Sequence, residues 1–144
     1  MQYKFYPERR IRHWVSFPFI WAMVIPLMLL DLGMEIYHRI CFPLYGIPIV
    51  KRKDYIKLDR QRLSYLNWYD KINCAYCSYA NGLMAYGVKI SGETEKYWCG
   101  IKQDTHGYPD FHEPAHHKDF TPYGDEKAFT KKYCKLEKPA KKSK

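Results

Sequence analysis

Residues 14–30, WVSFPFIWAMVIPLMLL, contain no charged side chain and decide how the chain is organised. The run can extend to Leu32 and Met34 if Asp31 lies at a membrane interface, and about 20 apolar residues are enough to cross a bilayer. No small-x-small cleavage site follows the run, so the pattern is typical of a retained anchor and not of a removed signal peptide. The sequence therefore predicts one N-terminal transmembrane helix in an integral membrane protein.

Basic residues flank this anchor on both sides, and the larger cluster lies between Lys51 and Arg62. Positive charge is enriched in loops that stay in the cytoplasm, so this cluster predicts a cytoplasmic C-terminal side with reduced cysteines. A second apolar stretch, residues 40–50, is broken by two prolines and a glycine and is too short to span alone. It predicts either an interfacial segment or a re-entrant hairpin with both chain ends in the cytoplasm.

Three segments follow from this division. Residues 1–50 contain the basic N-terminus, the anchor and the interfacial segment, and residues 51–130 form a small extramembrane domain. Residues 131–144 carry seven lysines against one glutamate and predict a disordered basic tail. A domain this small gains little from its core, so a metal, a membrane surface or a partner is expected to stabilise it.

Between Lys51 and Asp70, basic side chains alternate with leucine, isoleucine, tyrosine and tryptophan. This mixture predicts an amphipathic helix resting on anionic lipid headgroups, although a solvated face over a small core would have the same composition.

The next segment has the period of a helix, because apolar or aromatic side chains recur at steps of three and four from Ile72 to Ile101. Poor helix formers interrupt it, so two antiparallel helices with a break near Gly92 are expected, with a β-hairpin turning at Ser91-Gly92 as the alternative. Residues 125–136 predict a short closing helix. The predicted fold class is therefore mainly α.

Cys74-Ala75-Tyr76-Cys77 is a Cys-x-x-Cys pair whose i, i+3 spacing places both sulfurs on one helical face. Cys99 would lie about 33 Å away on an unbroken helix, so only a fold-back near Gly92 could bring it to the pair. A histidine could complete a site for structural zinc, or for iron in electron transfer. The predicted metal ligands are Cys74, Cys77 and Cys99 with one of His112, His116 and His117, which are preferred over His106.

Two other interpretations of the cysteines stay open: reduced thiols that only pack, and a redox-active or structural disulfide. Cys41 and Cys134 are expected to be packing or incidental thiols.

The segment His112-Glu113-Pro114-Ala115-His116-His117 formally fits the His-Glu-x-x-His pattern of zinc proteases. That pattern needs both histidines on one helical face, and Pro114 disfavours a helical Glu113. A metallopeptidase is therefore not expected, and no catalytic residue is assigned.

The chain has a formal net charge of +9 and a pI near 9.3. The membrane flanks and the tail account for this charge, and no recognised nucleic-acid motif is present, so nucleic acid is not an expected partner. The expected partners are anionic lipid headgroups and a larger membrane complex. Three functions stay open: a membrane-tethered metal-binding module, a non-catalytic accessory subunit with incidental cysteines, and a thiol-redox or metal-dependent membrane enzyme.

Overall fold

The structure is a computed structural model that describes residues 10–134, with only the backbone of Arg10. Within these residues four α-helices form in chain order: α1 (Arg10–Ala22), α2 (Val24–Tyr45), α3 (Trp68–Trp98) and α4 (Glu126–Tyr133). No β-strand occurs within the described residues, where an isolated bridge pairs Ile101 with Thr121. The expectation of a mainly α fold is confirmed. The chain divides at the Ile90–Ser91 bond into an N-terminal unit and a C-terminal unit.

Helices α1 and α2 form one long apolar segment, interrupted only by a turn at Met23. Pro26 explains the turn, because it has no N–H to donate to the carbonyl of Ala22 and its ring crowds that group. From Ile11 to Tyr45 this segment is long and apolar enough to cross a membrane, and only 6% of its most apolar stretch is buried. The expectation of one long apolar N-terminal helix is therefore confirmed.

Gly46 ends α2 in the left-handed conformation, with a φ of 69°. Its N–H donates to the carbonyl of Pro43 at 3.2 Å, and the N–H of Ile47 donates to the carbonyl of Phe42 at 2.9 Å. These two bonds satisfy carbonyls that the end of the helix leaves without partners, and glycine adopts the required φ without strain.

Helix α3 runs without a break from Trp68 to Trp98, so the predicted interruption near Gly92 and the alternative β-hairpin are wrong. The glycines of α3 are sites of close packing. A Cβ atom on Gly82 would lie 2.7 Å from the carbonyl oxygen of Tyr55, and one on Gly92 would lie 2.9 Å from Nδ1 of His116. A glycine destabilises a helix by about 1 kcal/mol relative to alanine, and these close contacts offset that cost.

The amphipathic helix expected between Lys51 and Asp70 does not form. The segment contains two single 3₁₀ turns, Arg52–Asp54 and Arg60–Arg62, before α3 begins. Residues 46–67 instead form a return segment that runs back along the apolar helix.

Contacts along the N-terminal unit trace this path. The N–H of Val50 donates to Nε2 of His38, and the rings of Tyr69 and Phe17 stack at 5.9 Å. The return segment therefore begins beside the end of α2 and reaches α3 beside α1. Helix α3 therefore runs in the same direction as the segment formed by α1 and α2.

The core of the N-terminal unit consists of five buried side chains from α2 and α3: Leu27, Phe42, Leu83, Tyr86 and Ile90. Three of these belong to the predicted helical stripe, whereas Ile72 at its start is 44% exposed. The stripe is thus core only in its middle section.

In the C-terminal unit, the chain after α3 folds back to pair with itself. The N–H of Thr121 donates to the carbonyl of Gly100 at 2.7 Å, and the N–H of Lys102 donates to the carbonyl of Thr121 at 2.8 Å. Asp125 caps α4 by accepting from the N–H of Ala128 at 2.9 Å. The predicted closing helix therefore forms, but it ends at Tyr133 and not at residue 136. The tail predicted to be disordered begins at Lys131, but residues 131–133 belong to α4, and residues 135–144 lie outside the described part of the chain.

Candidate metal centre

Two imidazoles converge on one carboxylate in the C-terminal unit. Nε2 of His116 lies 2.5 Å from Oε2 of Glu95, and Nε2 of His117 lies 3.0 Å from Oε1 of the same carboxylate. One potential ligand atom from each of the three residues lies within 4.8 Å of the other two. We call Glu95, His116 and His117 the His–Glu cluster.

Local sequence explains how the two adjacent histidines reach this position. Pro114, in an extended conformation, precedes the 3₁₀ helix Ala115–Asp119, and its carbonyl accepts from the N–H of His117 at 2.9 Å. The buried ring of Phe120 stacks on His117 with centroids 4.7 Å apart. Gly92 leaves room for His116, because any larger side chain there would meet the imidazole.

The electrostatics of the cluster favour an ionised carboxylate. Hydrogen bonds from His116, and then from His117, hold the pKa of Glu95 below its usual value, against the opposing effect of burial. In this arrangement each imidazole donates through Nε2. Nδ1 of the fully buried His117 then has no hydrogen-bond partner, which is a costly state for a buried ring nitrogen.

Glu113 lies on the far side of His117, with Oε1 4.0 Å from the unpaired Nδ1. Lys102 holds this carboxylate with a 2.9 Å ion pair. If Nε2 of His117 bound a cation, Nδ1 would carry the proton, and the Glu113 carboxylate 4.0 Å away could accept it after a small movement. Such carboxylate–histidine–metal chains are the usual support of a metal-binding imidazole.

Two imidazole nitrogens and one carboxylate oxygen are a donor set for Zn²⁺, and also for Fe²⁺ in the two-histidine, one-carboxylate arrangement. Zinc–ligand distances of about 2.0–2.2 Å require ligand atoms roughly 3–3.5 Å apart. Small side-chain adjustments would bring the cluster to this spacing. The residues therefore fit a divalent transition metal.

Of the predicted ligands, the structure brings His116 and His117 together. His112 is exposed and precedes the 3₁₀ helix, as does His106. Because His112 and Glu113 lie outside any helix, the His-Glu-x-x-His pattern does not present its histidines on one helical face.

None of the three predicted cysteine ligands belongs to the His–Glu cluster. Cys74 is buried and Cys77 is exposed in the N-terminal unit, whereas Cys99 is exposed in the C-terminal unit, where its thiol approaches the carbonyl of Ile101 at 3.8 Å. The unbroken α3 lacks the fold-back that would bring Cys99 to the pair. Metal binding by these three thiols stays a prediction from spacing.

Sequence reasoning did not identify Glu95. It lies 21 positions before His116, and no periodicity links a residue near the end of a helix to a loop that returns to it. The adjacent histidines were the only local signal of the site.

A second group of polar side chains is partly buried in the N-terminal unit, between α2, α3 and the return segment, and His38 is its fully buried member. Arg52 forms a two-pronged ion pair with Asp31, in which Nη2 lies 2.6 Å from Oδ2, and the hydroxyl of Tyr79 donates to the same oxygen at 2.7 Å. The ion pair with Asp31 raises the pKa of Arg52. Burial, followed by the contact with Asp31, raises the pKa of Tyr79.

Hydrogen bonds fix the tautomer of His38 in the same group. The backbone N–H of Val50 can only donate, so Nε2 of His38 accepts its bond at 2.9 Å and the neutral ring carries its proton on Nδ1. Nδ1–H then donates to the hydroxyl oxygen of Tyr86 at 3.0 Å, and this hydroxyl donates to Glu35 at 3.2 Å. These donors and acceptors are matched, so the group joins the elements of the unit and needs no ligand to complete it.

No protein-family model matches the chain, and no curated protein or solved structure is significantly similar to it. The assignment of function therefore depends on the chemistry of the His–Glu cluster and on the long apolar helix.

Proposed function

We propose that this chain is a membrane-anchored metal-binding protein in which Glu95, His116 and His117 hold a divalent transition metal. The convergence of two imidazoles and a carboxylate, with ligand atoms within 4.8 Å of one another, is the observation that carries this proposal. The unpaired Nδ1 of His117 supports it, because metal binding through Nε2 would place a proton on this nitrogen and give it a carboxylate acceptor.

Zinc is the first metal to test, and iron the second. Both accept this donor set, and three protein ligands leave at least one position for water or a further ligand. The cluster thus differs from the closed three-thiolate, one-histidine site that the sequence predicted. The assigned function is metal binding, and no reaction is assigned.

The apolar helix supports membrane anchoring. Large apolar side chains along it are exposed, and contiguous apolar surface of this extent marks a membrane or protein interface. The basic return segment supports a cytoplasmic position for the residues that follow α2.

The metal site can be tested on the full chain purified in detergent. After incubation with Zn²⁺ or Fe²⁺ and removal of excess metal, elemental analysis should give one metal per wild-type chain. Glu95→Gln and His117→Gln should lose it, because each replaces a strong metal ligand by a neutral, weakly binding amide of similar volume. His112→Gln and His106→Gln are matched controls in the exposed loop and should retain the metal.

Two results would contradict the proposal. One is a wild-type chain that binds neither metal. The other is stoichiometric metal in both Glu95→Gln and His117→Gln. If Cys77→Ser and Cys99→Ser lost the metal instead, the thiolate site predicted from the sequence would be the better account. If no metal bound at all, the accessory-subunit interpretation would replace it.

A further inference from the structure

One face of α2 presents a continuous apolar stripe. Six side chains at steps of three or four positions are each between 53% and 77% exposed: Ile25, Leu29, Leu32, Ile36, Ile40 and Leu44. The opposite face of the same helix carries Asp31 and His38, which contact the return segment. Toward the N-terminus the exposed apolar surface continues through Trp14 and Ile11.

This apolar surface is longer than the hydrocarbon core of a bilayer is thick. From Ile11 to Leu44 it extends about 50 Å at 1.5 Å per residue. The hydrocarbon core is about 30 Å thick. Transmembrane helices tilt by up to about 40°, and at that tilt the surface would still extend roughly 38 Å along the bilayer normal.

The return segment makes a crossing less favourable still. It begins beside His38 and ends beside Phe17, so it accompanies the apolar helix over most of its length. Its path is largely non-helical and carries five exposed basic and two exposed acidic side chains: Lys51, Lys53, Asp54, Lys57, Asp59, Arg60 and Arg62. Lipid cannot hydrogen-bond such a backbone or solvate these charges, so a crossing helix would place them where they are least stable.

The amphipathic body is therefore the whole N-terminal unit. The exposed stripe supplies the apolar side, and the charged return segment supplies the polar side. Exposed Arg12 and Arg39 lie near the two ends of this apolar surface, and Trp14 lies within it; such side chains favour the headgroup region of an anionic bilayer.

We propose that the N-terminal unit lies in the plane of one leaflet of an anionic membrane, with the stripe of α2 in the outer part of the hydrocarbon and the return segment toward water. This inference rests on the proposed membrane association and specifies its geometry. It replaces a helix that crosses the bilayer with one that stays on a single side.

The side of the membrane can be tested with the full chain carrying Arg12→Lys. A membrane-impermeant amine reagent is applied to spheroplasts and to inverted vesicles of the expression host, and modified lysines are identified by mass spectrometry. Position 12 and Lys53 should be modified in the same preparation. Modification of the two positions in opposite preparations would overturn the in-plane geometry.

Depth distinguishes the in-plane helix from a re-entrant hairpin. Spin labels are placed at positions 25, 36 and 44 in a chain whose native cysteines are replaced by alanine, bound to vesicles of phosphatidylcholine with phosphatidylglycerol. An in-plane helix should give one shallow depth of about 5–10 Å at all three positions. A deep maximum at position 36 with shallow ends would overturn the proposal. The lysine experiment, which keeps every cysteine, covers the case in which the alanine background does not fold.

Membrane association and the in-plane geometry can be tested separately. If the chain is absent from the membrane fraction and does not sediment with phosphatidylglycerol vesicles, both the anchoring and its geometry are wrong. If it sediments but the lysines or labels report a crossing, the anchoring stands and only the in-plane geometry is overturned. Binding that is unchanged on vesicles of phosphatidylcholine alone would contradict the anionic partner.

Discussion

At the residue scale, burial and nearby charges together shift the pKa of the Tyr86 hydroxyl. The Tyr86 side chain is 1% exposed, and its hydroxyl donates to Glu35 and accepts from His38. The centre of its ring lies 5.8 Å from Cζ of Arg52. Burial, followed by the Glu35 carboxylate, raises the pKa of Tyr86 to about 12 from its usual 10.0. Arg52 and Arg39 act in the opposite direction but do not reverse the shift.

This shift predicts a specific loss of stability in alkali. Between about pH 10 and pH 12 the folded chain keeps a proton that the unfolded chain has released, so the free energy of unfolding falls as pH rises. The shift is fully stabilising below about pH 10 and corresponds to about 3 kcal/mol. In Tyr86→Phe, denaturant unfolding in detergent should show a smaller fall over this range, although the variant is less stable at neutral pH.

Tyr65→Phe is the matched control, because it removes a hydroxyl from a tyrosine that is 60% exposed. It should keep the wild-type dependence on pH. An equally steep fall in Tyr86→Phe and in the wild type would show that other groups cause the alkaline loss.

At the element scale, the glycines of α3 explain both what the sequence predicted and what it did not. Apolar periodicity identified the helix, because a buried face must recur with the helical period whatever packs on it. The predicted break near Gly92 was wrong. A glycine in a helix can mark a weak point, because its helix propensity is low, or a position where another part of the chain packs closely. Only the position of His116, 24 residues further along, distinguishes them, and a local pattern does not contain that information.

For the same reason, the sequence identified only part of the His–Glu cluster. His116 and His117 were identifiable because they are adjacent, whereas Glu95 is one carboxylate among 15 acidic residues until the loop folds back. Similarly, the composition of residues 51–70 suits an amphipathic helix, but Arg52 and Val50 make bonds to α2 that favour a return segment.

A pair of substitutions tests the role of close approach. Gly82→Ala should destabilise the chain by about 1–3 kcal/mol, because its Cβ would lie 2.7 Å from the carbonyl oxygen of Tyr55 and 2.9 Å from Cα of Ile56. Gly33→Ala in α2 is the matched control, since a Cβ there meets nothing within 4 Å. It should stabilise the chain by up to about 1 kcal/mol. Thermal unfolding of both variants measures the difference, and equal effects would show that Gly82 is not a packing position.

At the scale of the whole molecule, a small core stabilises the N-terminal unit while an extended apolar surface on α2 stays exposed. In the N-terminal unit, five buried side chains meet between α2 and α3, and the polar group of Asp31, Arg52 and His38 joins the return segment to them. The exposed stripe contributes nothing to this core and is available to lipid. The fold therefore separates the residues that stabilise the unit from the exposed residues that we propose to contact a membrane.

The last prediction tests this separation. Leu83 is fully buried at the centre of the core, so Leu83→Asp places an unpaired charge there at a cost of several kcal/mol, against a total stability of about 5–15 kcal/mol. The N-terminal unit should unfold, and limited proteolysis should cut α3 rapidly. Val88→Asp is the control on the same helix, because Val88 is 67% exposed, and it should keep the wild-type cleavage pattern. A protease-resistant Leu83→Asp chain would show that this face of α3 is not core. Unfolding by Val88→Asp as well would show that the contacts of α3 extend around the helix and that the core is larger than these five side chains.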